Sequence, residues 1–122
     1  MVVTATTARD QVFPGDALAD GVLVVAVGVY TPDMQELDPA VFDGARVFAD
    51  VPEEAVETGD LLAANVDDPI PLSEVFEGRA GRESASDRIV VASVGSAVLD
   101  AATAGLLYER AVEADAGQVV EF

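Results

Sequence analysis

Proton transfer in this chain falls to carboxylates and two tyrosines, because the sequence contains no His, no Cys and no Lys. That excludes disulfides, thiolate nucleophiles, the usual zinc sites and His-based triads. It also excludes a Schiff base and a Walker-type phosphate loop, both of which need Lys. What remains is a set of small and polar residues placed directly behind apolar, β-rich runs. The first run leads to Thr4, Thr6 and Thr7. The second, GVLVVAV at 21–27, leads to Gly28 and a polar loop holding Tyr30, Thr31, Asp33, Gln35, Glu36 and Asp38. A third, within 87–95, ends in Ser93-Val94-Gly95 ahead of a long helical pattern. In an open parallel sheet, ligands bind beyond the carboxyl ends of the strands, and a helix N-terminus attracts negative charge. Each stretch also has a plainer reading. A Thr cluster after a strand caps turns, and a Gly before a helix serves the backbone.

The elements that must position these residues alternate between extended and helical patterns. Strands are expected at 1–6, 21–27, 46–50 and 87–95. The continuous apolar run at 21–27 has the pattern of a strand covered on both faces. Residues 15–21 offer at most one helical turn. A short helix is expected at 37–45, with Asp38 as its cap and Pro39 in its first position. A second is expected at 52–60, opening on Pro52 and acids and stopping near Gly59, with LLAAN extending it after a break. PLSEVFEG at 71–78 repeats the format, and the polar stretch 78–87 is a loop. The longest helix spans 96–117, followed by an extended tail at 118–122. Such alternation predicts an α/β fold with a mostly parallel sheet. On the long helix, Ala97, Ala101, Ala104, Tyr108 and Ala111 share one stripe. Small residues there permit close approach, either of the chain's own sheet or of another subunit or domain.

With 122 residues, 51% of them apolar, the chain can build one modest core. No apolar run reaches the roughly 18 residues of a membrane span, and no signal-peptide pattern opens the chain, so a soluble cytoplasmic protein is expected. Asp and Glu number 23 against 6 Arg, a net charge of −17. Such a charge repels nucleic acid and anionic membranes. The carboxylates are scattered rather than massed, which favours adaptation to a salt-rich cytoplasm over an acidic binding surface.

Taken in order, VVTATT (2–7), VAVGVYTPDMQELDP (25–39), RVFAD (46–50), ETGDLL (57–62), PLSEVFEGRAGR (71–82) and SVGSAVLDAATAGLLYERA (93–111) resemble the ornithine cyclodeaminase/mu-crystallin family. The resemblance implies a partial Rossmann-like unit, the second half of an NAD(P)-binding domain, over 1–95. It implies that 96–122 return toward a dimerisation domain absent from this chain. The cofactor would be NAD or NADP, and the substrate a small amino acid, imine or keto acid. By the same resemblance Thr6 and Thr7 lie along the nicotinamide, Gly28 lets the backbone approach the ring, and Val94 with Gly95 close the pocket. Glu36 ties the loop and Asp100 favours the helix start.

Two departures bear on activity. Tyr30 stands where the family's catalytic Asp is expected, and a phenol of reference pKa about 10 does not replace a carboxylate base at neutral pH. Tyr30 would donate a proton to a reduced imine or simply line the pocket. An imine reductase or dehydrogenase type is thus favoured over a cyclodeaminase. The G-x-G-x-x-G turn that supplies donors to a pyrophosphate is also absent from the sequence. These features point to a C-terminal fragment of an NAD(P)-dependent oxidoreductase, inactive alone. The alternatives are a subunit of a split enzyme and a small acidic interaction module without catalysis.

Overall fold

The computed structural model describes residues 1–120. Five parallel strands form one sheet: β1 (Val2–Thr4), β2 (Leu23–Ala26), β3 (Arg46–Ala49), β4 (Ile70–Pro71) and β5 (Ile89–Ala92), in the order β1-β2-β5-β3-β4. Helices α1 (Pro52–Ala55), α2 (Gly59–Ala64), α3 (Ser73–Phe76) and α4 (Ala97–Glu113) complete the α/β pattern. None among the described residues is long and apolar enough to cross a membrane. Four strands were expected, and β4 is the addition. Its two residues pair with Phe48 and Ala49, too short a run to show a period. Pro71 is tolerated because β4 lies at the sheet edge, where a missing N–H breaks no ladder.

The topology decides which face is covered. The steps β1 to β2 to β3 to β4 all progress in one direction across the sheet, so right-handed crossovers place their connections on one face. That face carries Val24, Ala26, Ala49, Val90 and Ala92, packed beneath Leu37, Val41, Phe42, Ala55 and Leu61. The return from β4 to β5 reverses direction and puts α3 on the other face. There Leu72 and Val75 border a groove floored by Leu23, Phe48, Ile89 and Val91. Leu23 and Val25 are therefore only half-buried. The expectation that residues 21–27 are covered on both faces is corrected, since one face of β2 is sheltered and the other partly open.

Two helical expectations change for local reasons. Residues 37–45 form a single 3-10 turn, Pro39–Val41, capped by Asp38, whose carboxylate accepts from the Ala40 N–H. Gly59 opens α2 instead of ending the helix expected at 52–60. A side chain there would collide with the Met34 carbonyl oxygen, so the glycine serves close approach to the β2–β3 connection rather than helix termination. Helix α4 contains no buried residue. Val98, Leu99, Leu106, Leu107 and Tyr108 are each at least half exposed. Packing of this helix on the chain's own sheet is thereby ruled out. Residues 118–120 have no regular structure, and the end of the expected tail lies outside the described residues.

Candidate functional site

The three marked strand ends meet at the carboxyl end of the sheet. Parallel pairing continues past the strands: the Val27 N–H donates to the Thr4 carbonyl, the Ser93 N–H to Ala26, and the Asp50 N–H to Ala92. The rims after β1, β2, β5 and β3 thus stand side by side in sheet order.

Two carboxylates tie these rims together. Glu36, fully buried, accepts from the Thr6 N–H at 2.5 Å and from the Gly28 N–H at 3.0 Å. One side chain therefore joins the end of β1 to the end of β2. Any side chain at position 28 would run into the Thr6 carbonyl and the Glu36 carboxylate, which accounts for Gly28 by internal packing. Asp50, at the end of β3, accepts from the Ser93 hydroxyl at 2.7 Å and from the N–H groups of Val94 at 3.1 Å, Gly95 at 3.0 Å and Val51 at 2.8 Å. Burial alone would raise its pKa, but these donors outweigh burial and hold the carboxyl below its ordinary 3.8.

Behind Glu36 stands a third carboxylate, Asp60, only 2% exposed. Its Oδ1 accepts from the N–H groups of Glu36 at 2.8 Å and Leu37 at 2.9 Å, while its buried Oδ2 has no protein partner. Burial pushes the Asp60 carboxyl above its ordinary 3.8; the Leu37 and Glu36 amides oppose that rise and the Glu36 charge adds to it.

Thr6, Gly28, Val94 and Gly95 are thus drawn to one end of the sheet. Thr6 and Thr7 are exposed there. The Thr6 hydroxyl also accepts from the Ala8 N–H at 3.1 Å, which is turn capping. Gly95 has φ +83° and no atom within 4 Å of where a Cβ would sit, so it meets a backbone need and borders open space. Tyr30 is 67% exposed on the loop after β2. On the same loop Asp33 pairs at 2.5 Å with Arg9, which comes from the connection after β1. Asp33 is held below its ordinary pKa, first by the Thr31 hydroxyl and then by Arg9. The loop-tying role expected of Glu36 matches its contacts, and Asp100 sits in the first turn of α4. Asp50 and Asp60 were not singled out from the sequence. The one available signal for Asp50 was an acid closing a strand, RVFAD, beside the ligand end of a parallel sheet. Asp60 had none, because its partners are more than twenty residues away. Among the described residues no cluster of three or more carboxylates is placed to hold a metal.

The ornithine cyclodeaminase/mu-crystallin family profile matches residues 1–115. A Delta(1)-pyrroline-2-carboxylate reductase of Bacillus cereus is 40% identical over 132 residues, covering 100% of this chain and 40% of the relative. Among solved structures, the Thermococcus litoralis Delta(1)-pyrroline-2-carboxylate reductase in complex with NADH and L-proline superposes with a TM-score of 0.79 at 31% identity. That match covers 97% of this chain and 39% of the other. An archaeal alanine dehydrogenase dimer with bound NAD gives a TM-score of 0.77 at 30% identity, over 98% of this chain and 40% of that one. The chain thus spans about two fifths of the length of these relatives.

Proposed function

The chain belongs to the ornithine cyclodeaminase/mu-crystallin family, and on that premise we propose that residues 1–95 are the ring-facing half of an NAD(P)-dependent oxidoreductase site. Its substrate is a small amino acid, or the imine or keto acid related to it. The observation that carries this reading is the convergence of three rims, far apart in sequence, at the ligand end of one parallel sheet. When bound, the dinucleotide would supply a hydride to an imine or keto acid, or accept one from an amino acid. This chain's part is to shape one wall of the pocket. The exposed Thr6 and Thr7 hydroxyls offer hydrogen bonds to an uncharged ring and its carboxamide. Half-buried Val94 gives an apolar contact, and Gly95 leaves the approach clear. Tyr30 lines the substrate side. An imine reductase or amino-acid dehydrogenase is favoured over a cyclodeaminase, since Tyr30 offers no carboxylate base.

The isolated chain is inactive on this reading and is completed by a segment that brings the G-x-G-x-x-G turn. The unpaired outer edge of β1 and the uncovered helix α4 (97–113) support this incompleteness, with residues 96–122 serving a dimer or domain contact. The net charge of −17 supports a salt-rich cytoplasmic setting. The test is reconstitution in KCl with a second polypeptide carrying that turn, following NADH or NADPH oxidation with Delta(1)-pyrroline-2-carboxylate. Turnover is expected from the pair and not from this chain alone. In the pair, Tyr30→Phe keeps activity within about threefold, whereas loss of a general acid costs about a hundredfold or more. Tight dinucleotide binding by the chain alone would remove the incompleteness, and a pair that binds no dinucleotide would remove the cofactor assignment.

A further inference from the structure

We propose that two copies of this chain pair by exchanging their long helices, α4 of each copy lying across the bare sheet face of the other. This rests on the dimer or domain contact given above to residues 96–122 and names its two surfaces. The first is the sheet face turned away from the core. Val3, Val25 and Val91 are register partners and form one row across β1, β2 and β5. Their neighbours Val24, Ala26, Val90 and Ala92 point to the covered face. Val3 is 55% exposed, and Val27, two residues beyond Val25, is 46% exposed. The row runs into the apolar groove of about 290 Å³ bordered by Val75 of α3. β1, β2 and β5 add no charged side chain to this face. The second surface is a stripe of α4. At 3.6 residues per turn Ala97, Ala101, Ala104, Tyr108 and Ala111 share one side, flanked by Leu107 and Val112, while Glu109, Arg110 and Glu113 fall outside it. Small side chains let a helix settle closely on a flat row of valines. A 17-residue helix holding Thr103, Gly105 and two valines is marginal alone in water, so it needs a surface to cover. The chain does not close this contact on itself. Asp50 holds the Ser93 hydroxyl and the Val94 and Gly95 amides, which fixes how the chain leaves β5, and on that course no residue of α4 is buried. A second copy related by a two-fold axis satisfies both surfaces at once, since each copy has one bare helix and one bare face. The helix is about 26 Å long and about 10 Å wide. Two exchanged helices therefore bury on the order of 1,000 Å², counted over both partners, which reaches the threshold of a specific interface. With a charge of −17 on each copy, the dimer is weak at low salt and tightens as salt screens the repulsion. A dilute chain in low salt is a monomer with α4 bare.

The experiment is sedimentation equilibrium of the full 122-residue chain in low and high KCl, joined to crosslinking. A dimer is expected in high KCl, dissociating as salt is lowered. Ala104→Glu, at an exposed helix position, and Val3→Glu, on the bare face, should each raise the dissociation constant about tenfold or more. Because Ala104 is exposed in the monomer, loss of the dimer there is separate from loss of the fold. The chain has no Cys, so Val3→Cys and Ala104→Cys chains carry one thiol each. Mixed in high KCl with a short bismaleimide, a Val3→Cys chain should be joined to an Ala104→Cys chain in preference to like pairs. A chain that stays monomeric at millimolar concentration in high KCl would overturn the proposal. So would a dimer that joins only Val3→Cys chains to each other, the mark of edge-to-edge strand pairing, or only Ala104→Cys chains, the mark of helix-on-helix pairing. Failure of the reconstituted pair to bind NADH would strike the cofactor reading alone and leave the dimer result standing.

Discussion

A buried carboxylate without a cation costs stability unless backbone donors surround it. Glu36 and Asp60 meet that condition to different degrees. Glu36 has both oxygens engaged, whereas Asp60 leaves Oδ2 without a partner. With its pKa raised in the fold, Asp60 binds its proton more tightly in the native than in the unfolded chain. Its penalty is therefore absent below the ordinary value of 3.8 and develops as pH rises through the raised native value. Asp60→Asn keeps an acceptor for the Glu36 and Leu37 amides and removes the charge. Urea denaturation should show the variant gaining on the wild type as pH rises from 3.8 toward the raised native value, and levelling above it. A difference that stays constant over that range would refute the assignment. Asp60→Ala removes the acceptor and should cost about 2 kcal/mol or more below the ordinary pKa of 3.8, since two buried N–H groups lose their partner, and less at higher pH, where the wild type carries the charge penalty.

Among the elements, the contrast is between α2, which belongs to the core, and α4, which does not. Leu61 on α2 is fully buried beneath the sheet, while Leu107 on α4 is 61% exposed. Leu61→Ala should cost about 2–5 kcal/mol. Leu107→Ala should change the stability of the chain by less than about 0.5 kcal/mol. Paired unfolding curves check this, and comparable losses would show that α4 is docked in solution. The outcome was half visible beforehand. The stripe of small and apolar residues on 96–117 announced a contact face, but a stripe has the same period whichever partner covers it. Gly59 shows the same limit from another side. In sequence it looks like a helix stop. Only its closeness to the Met34 carbonyl, 25 residues away, makes it the start of α2.

At the scale of the whole molecule, 23 acids against 6 arginines must repel one another across a small surface. The Debye length is about 10 Å at 0.1 M salt and about 3 Å at 1 M, so added salt screens that repulsion. The thermal midpoint should rise from 0.1 to 2 M KCl, and a flat response would show that the charge imposes no strain on the fold. The chain's own order of residues determined the α/β class, the parallel sheet, the three polar strand ends and the absence of His, Cys and Lys chemistry. These follow from local pattern, because strand and helix periods and residue inventory are properties of neighbours in the chain. Tertiary structure alone decided that the rims share one sheet end, that β2 is covered on one face, and that α4 stands clear of the core. It also decided where the rim donors go. The Thr6 and Gly28 amides find Glu36, and the Val94 and Gly95 amides find Asp50, 44 and 45 residues away. A hydrogen bond over such a separation leaves no periodic trace in sequence, because strand order and crossover direction bring its two ends together.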